Sequence, residues 1–150
     1  MAPKFSLQNV LDIRHGKVEL LQIELGKLLS AQQETELRLF TLQEFQRELL
    51  DQLSIAQLGD IDLVKSNLLR LNILQANVYI ESLTLELARQ KQAAEDKRAE
   101  LVAAKQSEET LEILKRKRHE VYVAEQLQIE SRAQDDIYIA QAFRNQQQGA

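Results

Sequence analysis

With 150 residues, 28% of them charged and only 5% aromatic, this chain has too little ring surface to fill a broad globular core. Its formal charge of −4 gives no electrostatic case for nucleic acid, and the absence of cysteine excludes disulfides and cysteine-based zinc sites. Pro occurs once and Gly four times, so the composition describes an elongated all-α protein with long, solvent-exposed helices.

The first predicted helix covers about residues 7–57. Ser6 stands at its N-cap position, with Phe5 and Val10 placed as a hydrophobic staple across the cap. From Leu11 a heptad seam runs through Arg14, Val18, Leu21, Leu25, Leu28, Gln32, Thr35, Leu39, Leu42, Gln46, Leu49, Leu53 and Ala56. Gly16 and Gly26 fall outside it. The helix should be about 75 Å long at 1.5 Å per residue.

Residues 58–62 form the predicted tip of a helical hairpin. Gly59 suits the left-handed residue after a helix end, and Asp60 or Asp62 can cap the next helix. From residue 63 to about 145 there is neither Pro nor Gly. One straight helix there would outrun the first by roughly 30 residues, about 45 Å. It would leave Leu114, Val121, Tyr122, Leu127, Ile129, Ile137, Ile139 and Phe143 in water, a large apolar surface. The expected remedy is a bend. A short helix within 63–90 packs near the tip, and a return helix over about 90–145 brings Phe143 close to Phe5. The whole is an antiparallel two-helix coiled-coil hairpin with a short additional helix near the tip, a single domain over 1–150. The return seam follows Leu83, Leu87, Ala94, Leu101, Ala104 and Leu111, then drifts toward Leu114 and Val121.

Nothing in the chain reads as chemistry. His15 and His119 lack a second ligand of the right type at i+3 or i+4, so no metal is expected. The carboxylate pairs Glu108-Glu109 and Asp135-Asp136 lie on exposed helix, without the pocket that tunes acid–base groups. No catalytic residue and no cofactor is expected. Lys115-Arg116-Lys117-Arg118 is the sharpest charge cluster, and it sweeps most of the way around the helix. A solvated structural role, a contact with an acidic protein surface, and nucleic-acid or nuclear targeting all remain open for it. Arg14 sits on the seam, where an unpaired charge costs stability, and an ion pair with Glu130 or Asp135 or exposure to a partner would each account for it. No apolar run reaches the roughly 20 residues that span a bilayer. The start, Met1-Ala2-Pro3-Lys4-Phe5, lacks the apolar stretch of a secretory signal, so a cytoplasmic protein is expected.

The opening Phe5-x-Leu7-x-x-Val10-Leu11-x-x-Arg14 resembles the N-terminal signature of the FliJ family, the stalk component of flagellar protein-export ATPase complexes. Leu114, Tyr122, Glu130 and the Asp135-Asp136 pair resemble its closing pattern, with Asp136 in place of the usual Glu. The resemblance implies a non-catalytic central stalk whose terminal end enters the hexameric type III export ATPase. Arg14, Glu130, Asp135 and Asp136 then map to the ATPase end. It also implies a contact with the cytoplasmic domain of the membrane export gate, to which Leu42, Phe45 and Leu49 correspond, while Arg38 replaces a neutral polar residue. Export chaperones are further implied partners, without residues to carry them. A monomer is expected, associated peripherally with the membrane export apparatus. The alternative is a generic coiled-coil adaptor or homodimeric spacer with no ATPase partner.

Overall fold

The computed structural model describes residues 4–149, which form two long helices packed against each other, α1 (Gln8–Ala56) and α2 (Leu63–Gln148). No strand occurs among the described residues. The chain divides into two compact units, Val18–Ala103 and Met1–Lys17 with Ala104–Ala150.

In the Val18–Ala103 unit the helices run antiparallel on either side of one seam. Every α1 seam position from Val18 to Ala56 is buried or half-buried. The reason is the strict alternation of three- and four-residue steps, which keeps those side chains on one stripe of a 3.6-residue helix. The facing stripe of α2 is Ser66, Leu69, Ile73, Ala76, Ile80, Leu83 and Leu87, continued by Gln90, Ala94 and Lys97. Polar groups interrupt it at intervals. Thr35 is buried and returns its hydroxyl to the Ala31 carbonyl at 3.1 Å. The Gln46 side-chain amide donates to the Asn77 side chain. Lys97 reaches Glu24 on α1 at 3.0 Å. Such layers cost stability relative to leucine but penalise any slipped register.

The turn that joins the helices is set by two residues. Gly59 adopts φ 78°, a left-handed conformation that a side chain would strain. Asp62 then caps α2, its Oδ1 accepting from the Val64 and Lys65 amides at 3.1 and 3.2 Å.

The sequence places a short helix and a bend within 63–90, and the structure has neither. Helix α2 is continuous for 86 residues against 49 in α1. A kink needs a cause, and the stretch contains no Pro or Gly and no break in its three-four spacing. Several further apolar side chains, among them Val64, Leu71, Leu74 and Val78, stand exposed on the opposite side of the helix.

The Met1–Lys17 with Ala104–Ala150 unit contains the start of α1 and the last part of α2. Leu11 and Leu111 are buried between the two helices, and Leu114 and Tyr122 are half-buried. Phe5 lies against Arg118, so Phe143 is roughly 25 residues, about 38 Å, further along the same helix instead of beside Phe5. Val121 is 57% exposed, because the stripe reaches Tyr122 instead. Every described residue from Val123 onward is exposed. Helix α1 itself starts at Gln8, one residue later than the cap at Ser6 implies. The Gln8 amide donates to the Phe5 carbonyl at 3.0 Å, and the Ser6 hydroxyl is engaged by Arg118. Phe5 is held by the same arginine, and Val10 is 38% exposed.

Candidate functional site

Three surfaces carry the residues that the sequence singles out. The first is the neck where α1 begins against α2. Arg14 is half-buried there, and its Nη1 donates to the Ser107 carbonyl oxygen at 2.8 Å. The charge on the seam is thereby met by a backbone dipole on the facing helix. Next to it the His15 Nδ1 lies 2.5 Å from the Glu108 carboxylate. Glu130, Asp135 and Asp136 are not brought to Arg14. They lie on the same α2 helix, with Glu130 roughly 23 residues and about 35 Å beyond Ser107. All three are exposed. The expected ion pair fails because it depends on the aligned ends that the missing bend would have produced.

Just beyond Arg14 the neck opens into a recess of about 460 Å³. Phe5, Leu11 and Tyr122 provide its apolar walls. Arg118 crosses it, its guanidinium carbon 5.4 Å from the centre of the Phe5 ring and its Nη1 donating to the Ser6 Oγ at 2.8 Å. Lys4, Lys115, Arg116 and His119 line the rim, with Glu112 the acidic residue among them. The basic cluster therefore splits: Arg118 is structural, while Lys115 and Arg116 face the recess. The sequence shows the cluster but gives no sign that Ser6 and Phe5 would be its partners across the helix pair.

The second surface is the stretch of α2 from Val123 to Gln148, a helix with no neighbour among the described residues. Its large apolar residues do not form one stripe. Val121 and Ile139 share a direction, since the interval between them is about five full turns. Ile129, Ile137, Leu127 and Tyr138 fall at successive angles, so that together they spread over roughly 260° of the circumference. Each of them is more than half exposed. Among them lie Glu125, Glu130, Arg132, Asp135, Asp136 and Arg144.

The third surface belongs to the Val18–Ala103 unit. Leu42 is half-buried and Leu49 is 6% exposed, so both serve mainly as seam residues. Phe45 is 48% exposed and presents its ring to solvent. Arg38 is paired along its own helix with Glu34 at 2.7 Å. The exposed Leu68, Leu71 and Val78 recur at three- to seven-residue steps on α2, a signal readable once Leu69, Ile73 and Ala76 are recognised as the buried set.

Among the described residues no group of three or more His, Cys, Asp or Glu is arranged to hold a metal ion, and no helix is long and apolar enough to cross a membrane. Lys97 has its pKa raised, chiefly by the hydrogen bond to Glu24, which marks a structural contact between the helices. No curated protein and no solved structure matches this chain. A family model described as "Flagellar FliJ protein" matches residues 3–148.

Proposed function

Since this chain belongs to the FliJ family, whose role is flagellar and export-related, we propose that it is a non-catalytic stalk of a flagellar-type export ATPase. In this reading the end of α2 enters the hexameric ATPase ring, and the Val18–Ala103 unit meets the cytoplasmic domain of the export gate. One observation carries the proposal. The unpartnered part of α2 exposes apolar side chains around most of its circumference. A helix with one apolar stripe suits one partner helix, whereas apolar residues spread around the circumference among charged ones suit contacts on several sides. A ring supplies such surroundings, and a side-by-side adaptor does not.

The charges on that helix fit the same role. Glu130, Asp135 and Asp136 are exposed and point in different directions, so subunits around a ring would meet different groups. Unequal contacts are what a stalk requires, because a ligand that binds all ring conformations equally shifts none of them. Arg14 has a different part. Its tie to Ser107 holds the start of α1 against α2 and so fixes where the unaccompanied helix begins. For the gate, Phe45 is the side chain available to a partner, with Leu42 and Leu49 supporting it from the seam. Export chaperones are further candidates for the apolar face of α2 around Leu71.

A photo-crosslinking amino acid placed in turn at positions 129, 137, 138 and 143 tests encirclement. With the purified export ATPase, all four sites should crosslink to ATPase subunits. Crosslinks from one side only, or none, favour the adaptor reading.

A further inference from the structure

The neck recess has no part in the stalk argument, and its chemistry is specific. We infer that it is a docking site for a short acidic segment of a protein partner, one in which Asp or Glu residues flank an apolar side chain. The inference does not depend on a ring around the end of α2.

Its grounds are charge, shape and preorganisation. Lys4, Lys115, Arg116 and Arg118 line one cavity, with Glu112 as the opposing carboxylate among the described lining residues, which leaves a positive excess there. Glu108 lies one turn earlier on α2, outside the recess lining, with the His15 Nδ1 at 2.5 Å from its carboxylate. The volume of about 460 Å³ lies in the range of ordinary ligand sites, and the Phe5, Leu11 and Tyr122 walls suit an apolar anchor. Arg118 is already fixed by Ser6 and by the Phe5 ring, so it reaches an incoming carboxylate with little ordering cost. Lys115 and Arg116 are exposed and have no hydrogen-bond or ion-pair partner among the described residues. They are the groups that a carboxylate would meet first.

The surroundings favour a short segment over a long polyanion. Immediately along α2 lie Glu120, Glu125 and Glu130, and the chain as a whole is acidic. An extended nucleic acid or an anionic membrane face would be repelled by these groups, whereas a few residues of peptide fit within the recess. A phosphate group would share the same cations. It lacks the apolar anchor, however, and no glycine lies among the described residues that line the recess.

The test uses the full-length chain, immobilised, and a phage-displayed library of random short peptides. Enriched peptides should carry Asp or Glu on both sides of a Leu, Ile, Phe or Met. Binding should fall at least about tenfold with the double variant K115E/R116E, as expected when close charge pairs are reversed. Neither substituted side chain makes a hydrogen bond or ion pair among the described residues, and far-UV circular dichroism of the variant should match the unmodified chain. Enrichment without acidic bias overturns the inference, as does equal binding to the variant. Tighter binding of inorganic phosphate than of the selected peptides also overturns it, in favour of a phosphate site, and preferential binding of anionic lipid vesicles overturns it in favour of a membrane contact.

Discussion

Substituting Leu111→Ala and, separately, Val121→Ala asks where the paired part of the neck ends. Leu111 is 6% exposed between the helices, whereas Val121 is 57% exposed on the next turns of the same helix. Leu→Ala changes in globular cores cost about 2–5 kcal/mol through lost transfer energy and the cavity left behind. Leu111 has a helix on one side and solvent on the other, so the low end applies, about 2 kcal/mol. With a urea slope of about 2 kcal/mol/M, the unfolding midpoint should fall by on the order of 1 M. Val121→Ala removes no packed neighbour and replaces a β-branched residue with a better helix former, so its effect should stay within about 0.5 kcal/mol. Urea titration followed by far-UV circular dichroism reads both. If the two losses are equal, the seam continues past Tyr122, and the description of an unaccompanied helix is wrong.

Arg14→Ala should cost about 1–2 kcal/mol, the range for a part-buried hydrogen bond from a charged donor, while charge reversal at Glu130 or Asp135 leaves thermal stability unchanged. A loss on reversing either carboxylate would restore the ion-pair reading. Asp62→Ala removes the cap of α2 and should destabilise by about 1 kcal/mol, measurable in the same urea titration. The Lys97 pKa is raised by its Glu24 partner, so the stabilising contribution of that contact is complete below the unfolded lysine value and is lost as pH rises through the higher folded value. Alkaline melting curves of Glu24→Gln should therefore converge with those of the unmodified chain at high pH and diverge at neutral pH.

The residues that sequence reasoning read well are those whose spacing leaves no choice. The seam from Leu11 to Ala56 repeats in unbroken three-four steps, and each position is buried or half-buried. Gly59 is equally clear, and the cap narrows to Asp60 or Asp62, of which the structure uses Asp62, because a left-handed residue and an N-cap accept few side-chain types. The expected bend is absent for a physical reason. Apolar residues from Val121 to Phe143 were assigned to burial by the chain itself, although their distribution around the helix suits an external partner. The buried stripe of early α2 also hid behind its small members, Ser66 and Ala76, while the larger Val64, Leu68 and Leu71 lie exposed. The recess was beyond reach, since Arg118 meets Ser6 and Phe5 only through the register of the helix pair. For Arg14, the seam position was evident, but its partner is a backbone carbonyl, which no side-chain pattern announces.

ATP hydrolysis by the purified cognate export ATPase, measured near its ring-assembly threshold, decides whether the chain is a stalk. The full chain should raise turnover while hydrolysing nothing alone. A chain ending at residue 123 retains the α1 pairing, and so should fold with undiminished stability yet fail to stimulate. Equal stimulation by the shortened chain, or none by the full one across a range of ratios, would contradict the stalk role.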